Sequence, residues 1–207
     1  SESEYVVYRC QKLKSSSFGR KQFIFNLTNS RIDDKIIIYT AKFRPSGTNP
    51  IISIYKGNIG HLKEDKADGI ILTSNKFTNF SLRKQSRYGN ELMSLKFIKS
   101  TSCVKRPRSI QIYASVESDY NQNHPRPIFL RNIEPKKTVF GTWELNLNSK
   151  NVLASSKNCR IINDSTKETV FIIRKVEKHV IEIEAMKFFS LLQLFALSIS
   201  SFLCQVK

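Results

Sequence analysis

The chain closes on an uncharged run, Phe188–Val206 (FFSLLQLFALSISSFLCQV), bracketed by Lys187 and Lys207. A helix that crosses a bilayer needs about 20 apolar residues, and a helix at the centre of a globular domain is likewise apolar all round. The polar residues of the run separate these two fates. Ser190, Gln193, Ser198, Ser200, Ser201 and Gln205 punctuate it. A lone span has no neighbouring helix to satisfy Gln193 in hydrocarbon, where an unpaired polar group costs several kcal/mol. Gln193, Ala196, Ser200 and Cys204 recur at helical spacing as a stripe of small or weakly polar residues, and Leu, Phe and Ile supply the rest. The pattern predicts a buried central helix over about residues 188–203. A single-span membrane anchor is the alternative.

Everything upstream reads as short strands. Tyr5–Cys10, Gln22–Thr28, Lys35–Lys42, Ile51–Tyr55, Gly69–Thr73, Phe77–Leu82, Leu92–Ile98, Ser109–Val116 and Ile128–Ile133 are β-branched or aromatic runs between turn residues. Trp143–Leu147, Cys159–Ile162, Thr169–Arg174 and His179–Ile183 continue the series, while Arg44–Pro50 and Asn123–Pro127 read as proline-bearing loops. No linker or repeat divides the chain, so a single domain over residues 1–207 is expected, with strands over about 5–184. About twelve regularly spaced strands indicate a closed antiparallel β-barrel. Such a barrel has a wide interior that must be filled, and the terminal helix is the only candidate to thread it.

The 34 Lys and Arg against 17 Asp and Glu give a net charge of +17. A charge that large points to an anionic partner: a membrane face, a nucleic acid or a polyanionic small molecule. The four cysteines, Cys10, Cys103, Cys159 and Cys204, form no CxxC and fit unpaired thiols in a reducing compartment. The chain opens at Ser1 without a methionine or a signal-peptide pattern, as a portion of a longer protein would. His61, His124 and His179 stand at no metal-ligand spacing, and no phosphate-cradling glycine loop occurs. The reading is therefore non-enzymatic, with no catalytic residue, no metal and no cofactor.

The basic residues carry more information. Lys42 and Arg44 lie two apart at a strand end, which puts both side chains on one face. Lys63 and Lys66 follow the next strand, and Lys105, Arg106 and Arg108 cluster around Pro107 as a secondary basic patch. Paired cations of this kind suit a phosphate-rich head group, Arg with forked donors and Lys as a point charge.

The order of four segments resembles the tubby-like family. Leu192–Phe202 (LQLFALSISSF) is similar to a C-terminal signature of LQAFAIALSSF type, and Val152–Ile162 (VLASSKNCRII) to V-x-x-A-S-x-K-N-F-Q-I-I. Glu91-Leu92 with Lys105-Arg106-Pro107-Arg108 is similar to an E-L…K-G-P-R arrangement, and Ile59-Gly60-His61-Leu62-Lys63 to I-G-K-L-R. The resemblance runs from about Tyr5 to Ser201. It implies a barrel threaded by the C-terminal helix and a site for phosphatidylinositol 4,5-bisphosphate, or another anionic lipid head group, formed here by Lys42, Arg44 and Lys63. This chain departs from the pattern in having Lys63 where the motif has Arg, a basic run thinned to Ala41-Lys42-Phe43-Arg44, and Arg106 where the motif has Gly. The expectation is a monomeric, peripheral, non-spanning module on the inner plasma membrane, with a signalling or ciliary cargo-adaptor role in cytoplasm, nucleus or cilium. The alternative is a nucleic-acid-binding transcriptional regulator that uses the same basic surface.

Overall fold

The computed structural model describes residues 5–17, 20–30, 33–45, 50–58, 66–98, 108–118, 121–149 and 151–204. Strands β1 (Tyr5–Ser17), β2 (Arg20–Asn29), β3 (Asp33–Phe43), β4 (Ile51–Lys56), β5 (Gly69–Thr73), β6 (Asn79–Lys84), β7 (Glu91–Ile98), β8 (Ser109–Ser118) and β9 (Asn121–Asn132) follow one another as an antiparallel meander. A small hairpin, β10 (Lys136–Lys137) and β11 (Trp143–Glu144), then interrupts the ladder. The meander resumes with β12 (Cys159–Asn163), β13 (Thr169–Glu177) and β14 (Val180–Met186). β14 pairs with β1, from Tyr5 opposite Met186 to Gln11 opposite Val180, and closes a twelve-strand barrel.

Alternation is the cause of the strands. In β4, β5, β6 and β7 every second side chain is buried, including Ile52, Ile54, Ile71, Phe80, Leu82, Met93 and Leu95. These apolar faces line one interior. Helix α1 (Leu191–Leu203) occupies it, and Gln193 through Leu203 are buried on every side of the helix. Phe195 stacks near Tyr39 at 6.3 Å and Phe202 near Phe25 at 5.8 Å. Small inward residues make room: Cys10, Ala41, Ala114 and Ala185 are buried. At Gly69 an added Cβ would stand 3.2 Å from the Leu192 side chain, a tight approach that only a small shift of Leu192 would relieve. Among the described residues no helix is long and apolar enough to cross a membrane. Helix α1 is thus the filling of the barrel.

The helix begins later than expected, at Leu191. Ser190 is its N-cap and accepts from the Gln193 amide, while the Gln193 side chain accepts from the Ser190 amide 2.9 Å away, a capping box. The same Gln193 side chain donates to the carbonyls of Leu92 at 3.0 Å and Ser115 at 2.8 Å. A residue that is awkward in hydrocarbon is therefore fully engaged between β7 and β8.

Three sequence expectations give way. Asn123–Pro127 belongs to β9 and is not a loop. β12 pairs only with Leu130–Asn132, so the first half of β9 is bonded on its β8 side alone and tolerates prolines, which lack an N–H. Trp143–Leu147 is not a barrel strand: Trp143–Glu144 pairs in the small hairpin, and the Leu147 carbonyl accepts from Arg174 Nε at 2.6 Å. Phe77 ends a short 3-10 turn and β6 starts at Asn79.

Candidate functional site

Register fixes where the cations fall. Lys42 sits opposite Ile24 of β2 and Ser53 of β4, between the buried Ala41 and Phe43. Ala41 and Phe43 point into the barrel, so Lys42 and Arg44 point outward, about 7 Å apart along the strand. Both are exposed. Arg44 Nε donates to Gln22 Oε1 at 3.1 Å, which steadies the guanidinium of this exposed residue. Among the described residues neither cation pairs with a carboxylate. The structure thus brings Lys42 and Arg44 together on one face, as their spacing predicts.

Lys63 lies outside the described residues, as do Lys105 and Arg106. The connection that carries Lys63 leaves β4 at Gly57, whose carbonyl accepts from Thr40 Oγ1 at 2.7 Å. Thr40 shares the outward face of β3 with Lys42, one alternate position away. Lys66, after that connection, is exposed.

Arg108 stands elsewhere. Its guanidinium reaches the end of α1, with Nη1 donating to the Ser201 carbonyl and Nη2 to the Cys204 carbonyl, both at 2.9 Å. Lys157 Nζ joins it at the Ser201 carbonyl, 2.9 Å, and the Phe202 carbonyl, 3.4 Å. The last turn of α1 contains no basic residue of its own. A helix C-terminus carries partial negative charge and unpaired carbonyls, and here two cations from the segments leading into β8 and β12 meet both needs. Burial, and then the neighbouring Arg108, push the Lys157 amine down to about 8. Sequence reading assigned Arg108 to a surface patch and gave Lys157 no role. The available signal was the terminal helix itself, which lacks a closing cation within its own last turn.

The same end of the barrel holds further positive charge. Lys12 sits opposite Phe25, and its amine lies 4.1 Å over the Phe23 ring. Burial, and then Lys14, lower the Lys12 amine. His179, in the β13–β14 turn, is lowered first by burial and then by Lys178, Lys14, Lys12 and Lys175. By register Lys14 stands opposite Phe23, and Phe23 opposite Phe43, one residue before Arg44. By register Lys12 and Lys14 lie on the inward face of β1, with Cys10, and the Lys42–Arg44 pair on the outward face of β3, so the two groups flank this end of the barrel from opposite sides of the sheet.

The outer wall across β13, β14 and β1 is held by an ion network. Arg174, 3% exposed, pairs with Glu182 at 3.2 Å and with Glu184, and Arg9 meets Glu182 at 3.3 Å. Cys10, Cys159 and Cys204 form no disulfide. Burial pushes the Cys159 thiol up to about 12. Among the described residues no group of His, Cys, Asp and Glu is placed to hold a metal ion. The chain matches no family model and no curated protein.

Proposed function

We propose that this chain is a non-enzymatic phosphoinositide-binding module that tethers its protein reversibly to the inner face of the plasma membrane. The observation that carries the reading is the Lys42–Arg44 pair, two exposed cations side by side at the rim with no carboxylate partner among the described residues. Arg44 offers forked donors and Lys42 a point charge, a combination suited to adjacent phosphates. The net charge of +17 adds non-specific attraction to an anionic leaflet, where each Lys or Arg near the surface contributes about 1 kcal/mol. A closed barrel filled by its terminal helix is also the architecture that the tubby-like resemblance implies, and head-group binding is what that resemblance implies of it. A reversible anchor of this kind serves a signalling or cargo-adaptor protein.

The test is a co-flotation panel of vesicles carrying single phosphoinositides, run at physiological salt beside duplex DNA. Preference for bisphosphorylated lipid is the expected result. A steep fall of DNA affinity with salt, without lipid preference, is the signature of the nucleic-acid alternative.

A further inference from the structure

The β10–β11 hairpin presents its most apolar residues at its tip. Thr138 and Thr142 close it: the Thr138 amide donates to the Thr142 carbonyl at 2.8 Å, and their hydroxyls meet at 2.7 Å. The Gly141 amide donates to the Thr138 carbonyl at 3.0 Å, and Gly141 has a φ of +79°. This is a tight turn followed by a left-handed glycine, a rigid three-residue loop. Val139 and Phe140 fill the central positions of the turn, where Asn, Asp, Pro or Gly is the ordinary choice. They are 95% and 89% exposed. Scattered apolar surface residues need no explanation, but an adjacent pair held out on a closed turn does.

The order of residues behind the tip narrows the occupant. The first pair below it is Lys137 opposite Trp143, and the next is Lys136 opposite Glu144. From tip to base the hairpin thus runs from apolar, through the mutually bonded Thr138 and Thr142 hydroxyls, to an aromatic beside a lysine, to fully charged. A bilayer has the same sequence of layers: hydrocarbon, an interface that favours Trp and snorkelling Lys, then water. A flat protein partner imposes no such grading. We propose that this hairpin is a membrane-insertion finger, with Val139 and Phe140 entering the upper acyl region of an anionic leaflet while Trp143 and Lys137 rest at the head groups. The proposal rests on the membrane-tether reading above, and gives that tether an apolar component distinct from the Lys42–Arg44 pair.

The chain has a single tryptophan, so its emission reports on this hairpin alone. The experiment uses phosphatidylcholine–phosphatidylserine–bisphosphoinositide vesicles, with and without lipid brominated in the upper acyl chain. Three proteins are compared: wild type, Val139→Ser with Phe140→Ser, and Phe140→Trp with Trp143→Phe, which moves the probe to the tip. The expected result has three parts. The tip probe is blue-shifted and quenched by brominated lipid. The double serine variant loses about tenfold or more in vesicle affinity. Its thermal midpoint is unchanged, because both side chains are almost fully exposed. Vesicle binding with an unquenched tip probe and an undiminished double serine variant overturns the finger and leaves the tether standing. Failure of wild type to bind these vesicles at all overturns both.

Discussion

Arg108→Ala is expected to destabilise the fold and to leave head-group recognition intact. The side chain makes two charge-assisted hydrogen bonds of 2.9 Å to the end of α1, at Ser201 and Cys204. Hydrogen bonds to charged groups contribute about 1.5–3 kcal/mol each, and a cation at a helix C-terminus adds up to about 2 kcal/mol in partly buried geometry. These contributions do not sum fully here, because Lys157 still donates to the Ser201 carbonyl at 2.9 Å and Arg108 is only half-buried. A loss of about 2–4 kcal/mol follows, which lowers the melting temperature by roughly 5–15 °C for a domain of this size. Arg108→Lys keeps the charge but loses the fork, and is expected to cost about half as much. The assay is urea unfolding followed by circular dichroism, with vesicle co-sedimentation at a temperature where the variant is fully folded. A variant as stable as wild type but deficient in vesicle binding would refute the reasoning, since it would move Arg108 from the helix to the lipid site.

Two further perturbations probe the same core. Lys157 carries a pH signature: its amine is held near 8 in the fold, against an ordinary 10.5. Between those values the unfolded chain binds the proton and the fold does not, so the Lys157 contribution to stability rises with pH across the window. Urea unfolding of wild type and Lys157→Met at the two ends of that window is expected to move in favour of wild type as pH rises; the opposite trend contradicts the buried placement. Gln193→Ala removes the donor to the Leu92 and Ser115 carbonyls and half of the capping box. It is expected to cost about 2–4 kcal/mol in chemical denaturation, and a cost under about 0.5 kcal/mol means that the clamp is not made.

The barrel was legible because its information is local. Alternation in Ile51–Tyr55 or Leu92–Ile98 marks a strand with one buried face whatever it pairs with, and the polar punctuation of an uncharged terminus after a run of strands pointed to burial over a membrane span. The same locality made the Lys42–Arg44 pair legible, since period-2 geometry alone puts both on one face. What failed was non-local. Trp143–Leu147 alternates like a barrel strand, but membership of the ladder depends on partners that the segment does not encode. The prolines of Asn123–Pro127 suggested a loop because nothing in the sequence says that β12 is too short to pair with that half of β9. Arg108 sat in a run of basic residues and read as surface. Its partners, Ser201 and Cys204, lie at the other end of the chain, and only the closed fold brings them to it. Val139 and Phe140 were legible as apolar residues but not as exposed ones, because exposure at a turn is known only once nothing packs over it.

The most direct measurement of the central claim is the affinity of Lys42→Ala with Arg44→Ala for vesicles containing phosphatidylinositol 4,5-bisphosphate, beside wild type and with folding verified by circular dichroism. Both side chains face outward and neither is part of the barrel's interior, so the variant is expected to fold, at a cost of about 1–3 kcal/mol for the lost Arg44–Gln22 hydrogen bond, and to lose specific binding to the bisphosphorylated lipid. A folded double variant that binds those vesicles as wild type does contradicts the assignment of the site.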